Sequence, residues 1–267
     1  MVIVKLMGGL GNQLFQYALG KNLAVLNNTK LKLDLSYFQE NTERKYRLDK
    51  FLTKAEFATP DEVASAVEIC EQNLSFDPYL LQRSGDIYLR GYWQSELYFK
   101  NIEHLLRTEL VLKNEISLQS KVVFDQINRV SSVAIHVRRG DYVSNKVTNA
   151  YLGLCPLEYY QYAVRELRKD LTDLHFFIFT DDPEWVASVP FFQDLSAVII
   201  RDNLEKEWED LHLMSACNNF IIANSSFSWW GAWLAPKQDK IVYAPDKWFQ
   251  NPDASSIDII PARWRRL

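Results

Sequence analysis

Two arginines stand side by side in His136-Val137-Arg138-Arg139-Gly140-Asp141-Tyr142-Val143, just after the apolar run Ser132-Val133-Ala134-Ile135. Adjacent fixed charges of one sign repel, and a single nearby aspartate does not balance both. A further anion is expected here, and a ligand would supply it. The guanidinium group is a rigid fork of N–H donors that matches a phosphate, so a pair of them suits a diphosphate. Gly140 lets the loop turn tightly beside such a ligand. The structural alternative is an ion-pair node with Asp141. His136, inside an apolar strand, is by itself more readily a core residue than a catalyst.

Two more polar clusters follow apolar runs. Asp181-Asp182-Pro183 comes after 175–180. These carboxylates can accept from a guanine ring N–H and its exocyclic amine, take a ribose hydroxyl, or simply cap the helix that Pro183 begins. Asn224-Ser225-Ser226 comes after 219–223 and opens Phe227-Ser228-Trp229-Trp230-Gly231-Ala232-Trp233-Leu234. A helix start there offers unsatisfied N–H groups and a dipole to a phosphate; the serines can equally be mere caps. Open α/β sheets bind ligands beyond the carboxyl ends of their strands. If the preceding strands are parallel neighbours, all three clusters face one crevice.

The amino-terminal loop Gly8-Gly9-Leu10-Gly11-Asn12-Gln13 invites a rival reading. Gly9 and Gly11 fit the first two glycines of a dinucleotide fingerprint, and Asp34 falls near the expected ribose-binding acid, as in an NAD-dependent oxidoreductase. Leu14, however, occupies the third glycine position, where it obstructs close helix–strand packing. Asn12 and Gln13 offer amides suited to sugar hydroxyls or a phosphate. The plain alternative is a strand-to-helix turn capped at Asn12.

The elements that must position these groups are legible as periodicity. Residues 2–7, 30–35, 86–90, 133–137, 175–180, 197–201, 219–223 and 240–244 read as strands, several continuously apolar as in sheets covered on both faces. Residues 13–26, 156–170 and 206–217 have helical spacing; Leu14, Phe15, Ala18, Leu19, Leu23 and Leu26 form one stripe. The alternation predicts an α/β architecture with largely parallel sheets. A fresh strand–helix series after Asn128–Ser132 divides the chain into units 1–130 and 131–267.

Bulk properties narrow the class. The chain has 267 residues, 48% apolar and 24% charged, with net charge −4, which argues against a general nucleic-acid binder. Its three cysteines lie far apart with no C-x-x-C pair, so free thiols in a reducing compartment are expected. No signal peptide or membrane-spanning run is recognisable. The tail Pro261–Leu267, basic and aromatic, reads as a solvated chain end, or as a contact to an anionic membrane surface. No Asp-x-Asp pair or His/Cys cluster at metal spacing occurs, so the arginines would neutralise charge without a metal.

Taken in order, Gly8 to Tyr17, His136 to Val143, Phe179-Thr180-Asp181-Asp182 and Asn224 to Leu234 resemble the motifs of the α-1,2-fucosyltransferases of glycosyltransferase family 11. The His-x-Arg-Arg block is shared with α-1,6- and protein O-fucosyltransferases; the Trp-Trp-Gly-Ala-Trp block is more specific. The resemblance implies a GT-B-type α/β fold, two Rossmann-like units facing a cleft, with 1–130 on the acceptor side and 131–267 binding GDP-fucose. It implies inverting, metal-independent transfer of fucose to the 2-hydroxyl of a galactose-terminated oligosaccharide or glycolipid, with no cofactor and no nucleic-acid partner. A cytoplasmic protein, at most peripheral at the inner membrane face, is expected. Arg138 should hold the β-phosphate, with His136 and Arg139 lining the donor pocket. Asp181 or Asp182 should meet guanine, and Asn224, Ser225, Ser226 and Phe227 should lie at the phosphates and base. Asn12, in the loop of Gly9 and Gly11, should approach the fucose or the phosphates. Asp141 is the candidate base, or else orients the arginines. The alternatives are another fucosyl linkage and a nucleotide-sugar binder without turnover.

Overall fold

The structure is a computed structural model and describes residues 1–40, 44–201, 205–251 and 258–267. Two compact units divide the chain: Met1–Asn114 with Ile257–Pro261, and Glu115–Ser256 with Ala262–Leu267. The break therefore precedes the expected 130/131 boundary. The helix Leu118–Ile127 belongs to the second unit because buried Glu209 clamps its start, accepting from Ser117 N (3.1 Å), Ser117 Oγ (2.6 Å) and Ser120 Oγ (2.6 Å). Nor are the units contiguous. Asp258 accepts from Phe76 N at 2.8 Å, which ties a late segment to the first unit.

The first unit holds a five-stranded, fully parallel sheet. Its strands are β1 (Val2–Lys5), β2 (Leu31–Asp34), β3 (Glu56–Phe57), β4 (Val67–Cys70) and β5 (Ile87–Arg90), in the order β3-β2-β1-β5-β4. β1 is central, and Val2, Ile3 and Val4 are wholly buried, which is why its sequence is continuously apolar. β3 and β4 escape pattern reading because β3 is two exposed residues and β4 has an exposed first half and only a half-buried second half.

The helix Leu10–Leu26 is buried on nearly every side, more than the expected single stripe, while Leu26 is exposed. Its close approach to the sheet occurs at Gly20, where a Cβ would lie 2.4 Å from Val4 Cγ2. Polar residues on this helix are buried and satisfied. Tyr17 donates to Glu109 Oε2 at 2.5 Å, and Asn22 Nδ2 donates to Tyr98 O at 2.7 Å.

The second unit holds a six-stranded parallel sheet. Its strands are β6 (Ser131–Val137), β7 (Leu174–Thr180), β8 (Val198–Ile200), β9 (Asn219–Ile221), β10 (Val242–Ala244) and β11 (Arg265–Arg266), in the order β11-β10-β9-β6-β7-β8. Val133, Ile135 and Val137 face a core built with Tyr160, Ala163 and Leu167 of the helix Leu157–Asp170.

The tryptophans of the helix Ser226–Leu234 are also core. Trp229, Trp230 and Trp233 are fully buried with ring centroids 5.1–6.2 Å apart. Gly231 lets this helix reach Met214, since a Cβ there would lie 2.4 Å from its Sδ.

The carboxyl tail is neither a loose end nor a free basic arm. Trp264 packs on Trp229, Leu267 N donates to Ala244 O at 3.0 Å, and Arg265–Arg266 add the edge strand. Among the described residues, no helix is long and apolar enough to cross a membrane, and no group of His, Cys, Asp and Glu has a metal-binding arrangement.

Candidate active site

β9, β6 and β7 are adjacent and parallel, so the polar segments that follow them emerge at one edge of one sheet. The β6 and β7 segments are joined by paired charges. Arg138 Nη1 lies 2.8 Å from Asp181 Oδ2, and Arg139 Nε donates to Asp182 Oδ2 at 3.0 Å. The arginine pair is therefore balanced within the protein, by the carboxylates after β7, and the expectation that a ligand supplies the missing anion is corrected.

All four carboxylate oxygens hold protein donors. Asp181 Oδ1 accepts from Arg139 N at 2.8 Å, and Asp182 Oδ1 accepts from Trp185 N at 3.1 Å, capping the helix Pro183–Ser188. Gly140 is required here for space, because a Cβ would lie 2.5 Å from Asp181 Oδ2. Arg139 also stacks on the Trp185 ring, 3.8 Å from its centroid, a cation–π contact the motif reading missed. Its signal lay in sequence: the first turn after Pro183 must sit beside Asp182.

His136 points to the face opposite Val137, where its ring lies 5.7 Å from that of Phe227. It is buried, and its Nδ1 has no hydrogen-bond partner. Burial first, and nearby Arg138 second, push its pKa down to about 3. The imidazole is thus neutral near pH 7 and a weak base, suited to lining a site rather than taking a proton from a hydroxyl. Asp141 belongs to the short helix Gly140–Ser144, but its side chain lies outside the described residues.

The third segment splits in role. Asn224 is structural, which corrects its expected place among the donor-binding groups. Its Nδ2 donates to Leu152 O (2.8 Å), Gly153 O (3.2 Å) and Trp248 O (3.1 Å), and it is buried. An amide engaged this way fastens loops together, and its Oδ1 accepts from Cys155 Sγ at 3.5 Å. Ser225 is the N-cap of the nine-residue helix Ser226–Leu234, yet its side chain makes no capping bond. Ser226 and Phe227 form the first turn at the same sheet edge. Tyr142 O–H donates to Asn224 O at 3.1 Å, and its ring lies 5.4 Å from the Arg138 guanidinium carbon. It therefore joins the β6 and β9 segments.

In the first unit, Gly9 takes the N-cap position of the helix Leu10–Leu26, with no side-chain cap, so the alternative of a cap at Asn12 does not hold; Gly11 lies in the first turn. Gln13 is structural: Nε2 donates to Gly8 O and Lys45 O, and Oε1 accepts from Arg47 N. Asn12 Oδ1 accepts from Gln94 Nε2 at 2.8 Å. The dinucleotide reading fails on two points. Asp34 is buried and holds Ser36 N, Ser36 Oγ and Tyr88 O–H. Leu14 is fully buried where a third glycine belongs.

Comparison with known proteins agrees with this architecture. The family model described as glycosyl transferase family 11 matches residues 1–266. An α-1,2-colitosyltransferase of Escherichia coli is 36% identical, covering 100% of this chain and 98% of that protein. A galactoside 2-α-L-fucosyltransferase of Caenorhabditis elegans is 24% identical over 97% of this chain and 77% of its own length. Among solved structures, the fucosyltransferase NodZ from Bradyrhizobium superposes with a TM-score of 0.54 at 16% identity, covering 88% of this chain and 93% of that one. That is a likeness of fold, the GT-B type.

Proposed function

We propose that this chain, which belongs to glycosyl transferase family 11, moves fucose from GDP to the 2-hydroxyl of a galactose-terminated acceptor, with inversion and without a metal ion. One observation carries the reading: at one edge of the second sheet, two oriented guanidiniums directly follow the strand next to the one that leads into a helix amino terminus. Such an edge suits a nucleoside diphosphate. Names of relatives support the linkage and the sugar, since one is an α-1,2-colitosyltransferase and another a galactoside 2-α-L-fucosyltransferase.

As the C1–O bond breaks, negative charge grows on GDP and positive charge on the sugar ring. While Ser225 N donates to Ala223 O at 2.8 Å, Arg138 meets the β-phosphate, and the first-turn N–H groups at Ser226 and Phe227 share the load. Both act more strongly on the transition state than on the bound donor. A guanidinium carries several N–H donors and can serve two anions at once, so its ion pair with Asp181 is compatible with this task. Asp181 and Asp182 are assigned to holding the arginines ready, which spares reorganisation when charge develops. The guanine contact implied for them would have to share oxygens already engaged. His136 lines the pocket as a neutral ring, Asp141 receives the acceptor proton, and the loop of Gly9, Gly11 and Asn12 approaches the sugar or phosphates.

A second donor has a specific observation in its favour, the 36% identity to a colitosyltransferase. Colitose is fucose without the 3-hydroxyl, so one contact decides between them. The test incubates the protein with GDP-fucose or GDP-colitose and a panel of galactosides including lactose. GDP release, with an α-1,2-linked product by NMR, is expected. Binding of a donor without release across the panel would leave only the non-catalytic reading, and a product of another linkage would correct the regiochemistry.

A further inference from the structure

The turn after β5 carries backbone strain. Buried Trp93 has φ +46°, a region that bulky L-residues rarely enter. Such a conformation persists only where its surroundings over-determine it, and functional sites are where this is found. Here the restraints are explicit. Glu71, just past β4, accepts from Tyr92 N at 2.7 Å and Trp93 N at 2.9 Å. A Cβ on Gly91 would lie 2.4 Å from Glu71 Cβ, so the chain passes with no room for a side chain. Gly91 O accepts from Gln16 Nε2 at 3.0 Å, while Gln16 Oε1 accepts from Met7 N at 3.0 Å. One buried glutamine thus ties the exits of β1 and β5 together.

The braced turn delivers Gln94, whose Nε2 donates to Asn12 Oδ1 at 2.8 Å. On the other edge of the same carboxamide, Asn12 Nδ2 lies 2.6 Å from where a Cβ on Gly8 would stand, and Gly8 has φ +78°. The Asn12 amide is slotted between a glycine that makes room for its nitrogen and a glutamine that grips its oxygen.

We propose that Gln94 is a positioning residue that acts through Asn12. By holding Oδ1, it determines that the Gly8–Asn12 loop offers N–H groups, rather than a carbonyl, to phosphate or sugar oxygens of the nucleotide sugar. The proposal rests on the reading of Asn12 at the donor given above.

Gln94→Met tests it, because a thioether of similar length cannot donate and leaves Asn12 Oδ1 without its grip, while adding no charge beside the donor. The variant is made in the unmodified chain and in Asn12→Ala. Each protein is measured for kcat and KM with GDP-fucose and lactose, for calorimetric affinity for GDP-fucose, and for thermal unfolding. Gln94→Met alone should lower kcat/KM by roughly tenfold, mainly through donor KM and affinity, with little change in unfolding temperature. In the Asn12→Ala background it should have no further effect. An equal loss in both backgrounds would assign Gln94 a merely structural part and overturn the proposal, as would full activity of Gln94→Met beside an impaired Asn12→Ala. Full activity of Asn12→Ala would instead remove the parent assignment of Asn12, and this proposal with it. A chain that neither binds nor turns over GDP-fucose would sink the donor reading itself.

Discussion

Arg138→Ala probes the centre of the mechanism, and its effect has two parts. Losing one donor aimed at developing charge typically lowers the rate by about 10²–10³-fold, or about 2.7–4 kcal/mol. The second part comes from Asp181, whose Oδ2 lies 2.8 Å from Arg138 Nη1. A phosphate on the same guanidinium would sit about 5 Å from that oxygen, where two like unit charges repel by about 3 kcal/mol at an effective dielectric of about 20. With the arginine gone, that repulsion is uncompensated. The double variant Arg138→Ala/Asp181→Asn should therefore recover about tenfold over Arg138→Ala after solvent and salt screening. Asparagine at 181 keeps an oxygen for Arg139 N, which Asp181 Oδ1 holds at 2.8 Å, so the loop should stay in place. The assay follows GDP release under saturating acceptor, with circular dichroism confirming the fold. Activity of the single variant within about threefold of the parent, a barrier change under about 1 kcal/mol, would refute the phosphate role. A double variant no better than the single would mean that the Asp181 charge is not felt by the donor.

Asn224→Asp should destabilise the second unit by about 3 kcal/mol or more, because a carboxylate would face the Leu152, Gly153 and Trp248 carbonyls that now accept from Nδ2; urea unfolding checks this, and an unchanged midpoint would contradict it. His136 has a folded pKa of about 3 against an ordinary 6.5. Between these values the unfolded chain binds the extra proton, so stability is full above pH 6.5 and falls as pH drops, by at most about 1.4 kcal/mol per pH unit. His136→Phe should flatten that part of the stability profile in acid unfolding, and an unaltered profile would show the imidazole is not buried neutral. Turnover should persist in excess EDTA, since guanidiniums are assigned the charge a metal would carry; strict dependence on added Mg²⁺ or Mn²⁺ would refute this assignment.

What could be read from sequence was whatever depends on neighbours along the chain. The continuous apolar runs at 2–4 and 133–135 are required by burial on both sheet faces, so strand identity and the parallel α/β class were legible. Placing arginines, aspartates and a serine-led helix start directly after strands was legible for the same reason: a parallel strand delivers its following residues to a known edge.

Partnership was decided by tertiary structure. Whether Arg138 and Arg139 awaited a ligand or already had Asp181 and Asp182 depended on β6 and β7 being adjacent, a pairing across about forty residues. Asn224 looked like Ser225 in sequence, yet its amide is consumed by carbonyls from residues 152, 153 and 248. The tail looked loose until it added an edge strand beside β10. Gln94 carried no local signal at all, because its meaning lies in one hydrogen bond to Asn12 across the sheet exit. Periodicity reports which residues must be buried; it cannot report which polar side chains will find partners within the protein, since that follows from the distances only the folded chain sets.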